Sequence, residues 1–160
     1  MPQTPSPIKR DQASFRHKSP KGSLVDQHLI FAPMGVLAFL TFTVLGMIPL
    51  RRFRASALSQ VVAEDFKYGE SPNVPGHVSI PNRGYMNLLE LPMLFYVASL
   101  MFFVTGKVDA VVLGVAWTYV ALRLVHSAIH LTYNRVIHRL IPFAISNFVL
   151  IGYWALFFLR

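Results

Sequence analysis

Four long apolar segments dominate the chain, and their length restricts what it can fold into. The first, "LIFAPMGVLAFLTFTVLGMIPL" at 29–50, contains no charged residue. About 20 apolar residues suffice for a helix to cross the hydrocarbon core of a bilayer. Only 14% of all residues are charged, whereas a soluble domain carries about a quarter. The sequence predicts an all-α, integral membrane four-helix bundle with spans at about 29–50, 82–105, 110–133 and 140–159.

The polar remainder consists of a tail and short connections. Residues 1–28 are rich in Pro, Ser, Lys and Arg, so we expect a disordered tail before a membrane domain at 29–160. The net charge is +8, but the basic residues cluster in the tail and at segment ends. That distribution favours membrane lipids over nucleic acid as the partner. The absence of cysteine excludes disulfides, thiolate nucleophiles and cysteine-ligated metals.

The connections predict the topology. "ALSQVVAEDF" at 57–66 suggests a short amphipathic interfacial helix, and a turn-rich linker follows it. Pro81 suits the first turn of the second span, and Pro92 is expected to kink that span. "GKVD" at 106–109 predicts a tight turn, so spans two and three form an antiparallel hairpin. Arginines slightly favour the side of the long loop 51–81, which predicts that this loop is cytoplasmic and that the membrane is a bacterial inner membrane.

Polar side chains recur along one face of the third span. They follow one another at intervals of three or four residues: Tyr119, Arg123, His126, His130 and then Tyr133 or Asn134. This is the spacing of one helical face. An ionised side chain near mid-bilayer costs at least ~2.5–3.5 kcal/mol, so Arg123 requires a partner or a water-filled cavity.

The second span carries a matching set of polar residues. Arg83, Asn87 and Glu90 lie one turn apart and share a helical face. Glu90 is the only carboxylate within the predicted spans. We therefore expect the hairpin to bring Glu90 toward Arg123 as an ion pair.

Three interpretations fit these two stripes. The polar groups can simply join helices, as they do in many membrane bundles. His126 and His130 have the i, i+4 spacing that can chelate a metal ion, with Glu90 as a third ligand, but only one carboxylate is available and no metal is expected. The number of polar residues on two facing stripes favours the third interpretation, a ligand pocket.

Two motifs resemble a known family. "NRGYMNLLELPMLFY" at 82–96 is similar to the second-helix signature of the membrane-associated proteins in eicosanoid and glutathione metabolism, the MAPEG family. "YVALRLVHSAIH" at 119–130 is similar to the third-helix pattern, in which a histidine follows an arginine by three residues. "HLTYNRVIHR" at 130–139 resembles a bacterial-type branch. The resemblance covers about 30–160.

The resemblance implies a homotrimer that binds glutathione as a cosubstrate between subunits, near the cytoplasmic face. It implies that the peptide is bound by helix-two and helix-three residues, here Arg83, Asn87, Glu90, Arg123 and His126. His130, on the same face of the third span, is a further candidate for binding. Arg139 falls where the family has a membrane-face arginine near the end of helix three, and it becomes the candidate catalytic residue that stabilises the thiolate. Adjacent positive charge lowers the pKa of a thiol.

Two positions depart from the family pattern. His130 stands where several members carry a tyrosine, and Leu140 replaces a hydroxyl residue that commonly follows the terminal arginine. The leading hypothesis is a membrane glutathione-dependent transferase or peroxidase acting on a lipophilic small-molecule electrophile. The alternatives are a non-catalytic membrane protein that retains the bundle and a histidine-ligated membrane metalloprotein.

Overall fold

The computed structural model describes residues 25–160, and this part of the chain contains five α-helices and no strand. The helices are α1 (Phe31–Ala57), α2 (Gly76–Leu89), α3 (Leu91–Val104), α4 (Ala110–Leu131) and α5 (Val136–Leu159). The prediction of an all-α fold is confirmed. Most of the tail predicted to be disordered, 1–24, lies outside the described residues. The 3-10 helix Gln27–Ile30 precedes α1, and the Gln27 amide exchanges two 2.9 Å hydrogen bonds with the backbone of Val108.

Four described segments are long and apolar enough to cross a membrane: Gln27–Ala57, Gly76–Val104, Ala110–Leu131 and Val136–Leu159. The chain is therefore an integral, multi-pass membrane protein. Large apolar side chains such as Phe39, Phe42 and Phe148 point outward and are at least 70% exposed, which suits contact with lipid. One end of the bundle, the tail-side end, holds the 105–109 turn and the C-terminus. The opposite, loop-side end holds the 58–75 loop and the 132–135 turn.

The first span is longer than the sequence predicted. α1 continues through Ala57, so the basic stretch 51–54 is helical. The amphipathic helix expected at 57–66 is wrong, because only the 3-10 segment Ala63–Phe66 forms there. Ser59, with a φ of 56°, turns the chain out of the helix. The loop then buries Val61 and Val74 in a small cluster on the helix ends. This cluster packs the loop against the bundle without a separate helix.

The second span begins at Gly76, so the prediction that Pro81 occupies its first turn is wrong. Pro81 lies inside α2, where it cannot donate a hydrogen bond to the carbonyl of His77. Arg51 compensates, since its Nη1 donates to that oxygen at 2.8 Å. Its Nη2 donates to the oxygen of Leu131 at the end of α4, at 3.4 Å. One arginine thus joins three helices at the loop-side end.

The kink predicted at Pro92 is confirmed, and it divides the span into α2 and α3. Glu90 lies at the break, with a φ of −72° and a ψ of −90°. Pro92 occupies the first turn of α3, where its missing N–H costs little. The break changes the direction of the chain after Glu90, whereas Glu90 itself still donates its backbone N–H to the oxygen of Met86 in α2.

The predicted tight turn between spans two and three is also confirmed. Gly106 has a φ of 67°, a conformation that glycine adopts without strain. Asp109 caps α4 by accepting a 2.8 Å hydrogen bond from the N–H of Val112. This hydrogen bond, and then the nearby Arg160, lower the pKa of Asp109. Arg160 also forms an ion pair with Asp109, so the C-terminus is attached to the same turn.

Aromatic side chains fill the bundle between the tail-side end and its middle. We call Phe95, Phe102, Tyr119 and Tyr153 the aromatic core, since each is at most 1% exposed. Phe95 stacks on Tyr119 and Tyr153 with ring centroids 4.8 and 5.7 Å apart. The hydroxyl of Tyr153 lies 3.2 Å from that of Ser99, so this buried polar pair is satisfied.

Candidate functional site

The polar stripe of the third span faces the interior of the bundle, as the spacing predicted. Tyr119, Arg123, His126 and His130 are all at most 5% exposed. α4 packs against α5 and also against α1 and α2. Since α4 runs from the tail-side end to the loop-side end, its two histidines lie near the loop-side end.

Arg123 is fully buried without a carboxylate beside it. Its Nε donates to the Tyr119 hydroxyl at 3.1 Å, and its Nη2 donates to Oδ1 of Asn147 at 3.4 Å. The guanidinium also lies 5.2 Å from the ring centroid of Phe143. Nη1 is buried with no hydrogen-bond partner within residues 25–160. The cation is thus held by neutral groups, and one of its donor nitrogens is unsatisfied.

The expected ion pair between Glu90 and Arg123 is not formed within one chain. The described residues form two carboxylate ion pairs, Arg52–Glu70 and Arg160–Asp109. Glu90 is exposed. Glu90 still follows Arg83 and Asn87 on α2, because its backbone N–H bonds to the oxygen of Met86. Its side chain is exposed in a single chain, whereas Arg123 is fully buried on α4.

A cavity of about 470 Å³ lies near the loop-side end, between α2, α4 and α5. This volume is within the ~300–1,000 Å³ typical of small-molecule sites. Five of the seven predicted site residues line it: Arg83, Asn87, His126, His130 and Arg139. The remaining wall consists of Asn82, Met86, Val136, Leu140 and Phe143. Arg123 and Glu90 are not part of this lining, and none of the described lining residues is acidic. The cavity therefore favours an anionic ligand.

The position of His126 fixes where its proton lies. Its Nδ1 is 2.8 Å from the backbone oxygen of Arg139, and a carbonyl oxygen can only accept, so Nδ1 donates. Its Nε2 is buried and has no partner within the described chain. The Nε2 of His130 is in the same situation, and the two rings stack with centroids 5.9 Å apart. The Nε2 atom of each ring thus lacks the hydrogen bond that a buried polar group normally makes.

Arg139 lies in the first turn of α5, and not near the end of the third span where the family pattern placed it. The turn at 132–135 reverses the chain, so Arg139 faces back toward α4. Its Nη1 donates to Oδ1 of Asn134 at 2.5 Å and lies 2.8 Å from Nδ1 of His130. The distance between Nδ1 and Oδ1 is 3.0 Å. Nδ1 can donate to the amide oxygen or accept from Arg139, but it cannot do both at once.

Three asparagines contribute to the site beyond the predicted residues. Asn82 lines the cavity, Asn134 binds Arg139, and Asn147 binds Arg123. Asn147 gave a usable signal, since a polar side chain within the otherwise apolar fourth span is costly unless it is paired. Asn134 lies four residues after His130 in the stripe. No sequence signal singled out Asn82 from its polar neighbours.

Among residues 25–160, no three His, Cys, Asp or Glu side chains come together as metal ligands. The set His126, His130 and Glu90 is not assembled, since Glu90 lies outside the cavity. Nδ1 of His126 is also already bound to a carbonyl.

Comparison with known proteins agrees with the two motifs. The model of the MAPEG family matches residues 30–159, which is most of the chain and includes all four spans. No curated protein and no solved structure matches. The chain belongs to the MAPEG family, whose members are membrane-associated proteins in eicosanoid and glutathione metabolism.

Proposed function

We propose that this MAPEG-family protein binds glutathione in the cavity between α2, α4 and α5 and uses its thiolate on lipophilic electrophiles or peroxides. The observation that carries the proposal is the convergence of Arg83, Asn87, His126, His130 and Arg139 on one cavity without an acidic lining residue. Glutathione carries two carboxylates and one ammonium group. Arginines suit carboxylates because of their charge and planar geometry.

The unsatisfied nitrogens support the same ligand. Nε2 of His126 and of His130 are buried without partners in the part of the chain described. Leaving such a buried group without a hydrogen bond costs about 1–3 kcal/mol. Nε2 of His126 is an acceptor in the neutral ring, so a peptide N–H or the ammonium group of the ligand would satisfy it. Nε2 of His130 would donate to a ligand carboxylate when its Nδ1 accepts from Arg139. Arg83 and Arg139 are the cations that we assign to ligand charge and to the thiolate, respectively.

The rim of the cavity supports a lipophilic second substrate. Met86, Val136 and Leu140 line the cavity and are between 50% and 63% exposed. An apolar molecule dissolved in the bilayer can therefore contact the rim while the polar interior holds glutathione. A thiolate that adds to an electrophilic carbon forms a carbon–sulfur bond, and Arg139 would favour the ionised thiol before the attack.

We further propose that the working form is a homotrimer with the loop-side face in the cytoplasm. Glu90 is exposed beside the cavity-forming helix α2, where a second copy can bring it to the ammonium group of glutathione. The arginines of the loop-side end agree with a cytoplasmic, bacterial inner-membrane orientation. Cross-linking in membranes and labelling of a cysteine introduced at Tyr68, which is 91% exposed, test these two statements.

A glutathione titration of the full chain in lipid nanodiscs tests the proposed function. We expect saturable binding that Arg83→Met weakens by about tenfold or more, since a hydrogen bond to a charged group contributes about 1.5–3 kcal/mol. Arg54→Met is the matched control, because Arg54 is an exposed arginine at the same end of the bundle and does not line the cavity. Wild-type protein that is correctly assembled and does not bind glutathione would reject the proposal.

The second candidate, binding without turnover, is favoured by one observation. No described residue lining the cavity carries a hydroxyl group, and Leu140 occupies the position next to Arg139 where the family commonly has one. Conjugation of a generic electrophile by the wild-type protein distinguishes the two functions. Saturable glutathione binding without any conjugation or peroxide reduction would favour the non-catalytic function.

A further inference from the structure

The turn between α4 and α5 depends on an asparagine in an unusual backbone conformation. Asn134 has a φ of 49°, in the left-handed region that asparagine tolerates better than most residues. Its backbone N–H donates to the oxygen of Ile129 at 2.9 Å. The turn is therefore closed at Asn134. The backbone conformation there, which few residue types adopt, sets the direction of the Asn134 side chain.

The side chain of Asn134 holds one nitrogen of Arg139. Oδ1 accepts from Nη1 at 2.5 Å, and the positive charge of the donor strengthens such a hydrogen bond. Nδ1 of His130 is the other neighbour of Nη1, at 2.8 Å. His130 is not always an acceptor for Arg139, because its Nδ1 can instead donate to Oδ1 of Asn134. The amide oxygen of Asn134 can only accept, so it accepts from Arg139 in either case.

The rest of the guanidinium stays available. Within residues 25–160, Nε and Nη2 of Arg139 make no hydrogen bond, and Arg139 lines the cavity. An arginine side chain carries about 2 kcal/mol of rotamer entropy. Because Nη1 is already held before the ligand binds, the side chain loses less conformational entropy when Nε and Nη2 bind an anion.

We propose that Asn134 is a positioning residue that fixes the guanidinium of Arg139 for the thiolate of bound glutathione. The inference rests on the proposed function and adds to it a residue outside the lining of the cavity. Asn134 does not touch the reacting sulfur, so its whole effect must pass through Arg139. That dependence makes the inference testable.

Two substitutions test the amide oxygen, one by removing it and the other by replacing it with a carboxylate oxygen. Asn134→Gly removes the acceptor but accepts a positive φ without strain, so the turn is retained. Ser59→Gly is the matched control, since Ser59 is the other described non-glycine residue with a positive φ, 56°, and lies away from the cavity. Asn134→Asp, which keeps the shape of the side chain, is the second variant if the glycine variant fails to assemble.

The readout is the fraction of bound glutathione that is thiolate, followed by ultraviolet absorbance against pH with the full chain in nanodiscs. The charged and titratable groups that line the cavity are Arg83 on α2, His126 and His130 on α4, and Arg139 on α5. Each substitution at 134 is made with Arg139 present and in an Arg139→Met background. Such a double-mutant cycle measures the coupling between the two residues.

With Arg139 present, we expect Asn134→Gly to raise the apparent pKa of the bound thiol by about one unit, a tenfold loss of thiolate at a given pH. In the Arg139→Met background, the same substitution should leave that pKa unchanged. Asn134→Asp should also raise it, and more strongly with Arg139 present, because the new carboxylate neutralises the guanidinium. Ser59→Gly should behave as wild type in both backgrounds.

Equal shifts in the two backgrounds would overturn the inference, since Asn134 would then act on the general structure and not through Arg139. An unchanged thiolate fraction in Asn134→Gly would overturn it as well. The proposed function would still stand in that case, provided that the wild-type protein binds glutathione. A wild-type protein that binds no glutathione would overturn both.

Discussion

The two halves of α4 lie in the same bundle, but their surroundings differ in how completely polar atoms are satisfied. The tail-side half packs Val112 and Ala116 against the aromatic core, where the Tyr153 and Ser99 hydroxyls are paired. The loop-side half carries Arg123, His126 and His130, and each has a buried nitrogen without a partner in the described chain. One half is built for close packing, whereas the other half retains unsatisfied polar groups.

The difference indicates how stability and function are divided. In a membrane, helices associate through close packing, because lipid is as apolar as their side chains. The aromatic core supplies that packing over the tail-side half. Trp154, whose Nε1 is also buried without a partner, is the exception there. The loop-side half carries more unpaired buried groups, and a ligand or another copy of the chain would satisfy them.

The largest expected effect is on the tail-side half. Phe102 is fully buried and packs on Tyr153 and Phe157 with centroids 5.0 and 5.2 Å apart. We expect Phe102→Ala to lower the free energy of unfolding by about 3–5 kcal/mol, measured by denaturation in mixed micelles, and to leave glutathione affinity almost unchanged. Phe148→Ala, at a side chain 73% exposed, is the control. Equal losses in the two variants would contradict the packing argument.

The next largest effect should have the opposite sign. A buried charge without a counterion costs free energy, and replacing buried ionic groups by apolar side chains of similar volume is often neutral or stabilising by about 1–4 kcal/mol. We expect Arg123→Met to raise the free energy of unfolding by about 1–3 kcal/mol, measured in the same micelles. Arg123→Ala, which leaves a void, should not be stabilising. Strong destabilisation by Arg123→Met would show that the charge has a counterion in the assembled protein, as from Glu90 of another copy.

A smaller effect concerns the cap at the tail-side end. Asp109→Ala removes the acceptor for Val112 and should cost about 1 kcal/mol, whereas Asp109→Asn keeps a capping oxygen and should cost less. The pKa of Asp109 is lowered in the folded chain. Its stabilisation is therefore fully present above the ordinary aspartate range and is lost as the pH falls through the lowered pKa. Unfolding curves against pH check this, and an acid dependence that persists in Asp109→Asn must come from another group.

The smallest effect tests how tightly α2 approaches the histidines. A Cβ at Gly84 would lie 3.2 Å from Cδ2 of His130. Alanine favours the helix by roughly 0.8–1 kcal/mol over glycine, which offsets the crowding, so we expect Gly84→Ala to change stability by less than about 1 kcal/mol. Displacement of His130 should nevertheless weaken glutathione binding several-fold. Gly114→Ala, where a Cβ meets nothing within 4 Å, is the control, and unchanged binding in Gly84→Ala would show that His130 does not set the cavity.

Much of the candidate site could be predicted from the sequence, because helical spacing is a local property. The intervals of three and four along Arg123, His126 and His130 fixed their common face, and the cost of exposing Arg123 to lipid directed that face inward. Glu90 could not be placed in this way. Its spacing from Asn87 is helical and it lies at the end of α2, but neither residue spacing nor composition reports which side of α2 packs against α4.

Hydropathy and periodicity, which depend on neighbouring residues, thus predicted four membrane spans and the inward polar face, and the resemblance of two short motifs indicated the family. Which polar groups meet was decided only in three dimensions. The positive φ of Asn134 turns Arg139 back toward His130, and the way in which α2 packs against α4 leaves Arg123 without Glu90 in a single chain. Both outcomes depend on a few backbone angles between helices, and these angles are set by the packing of segments distant in the sequence.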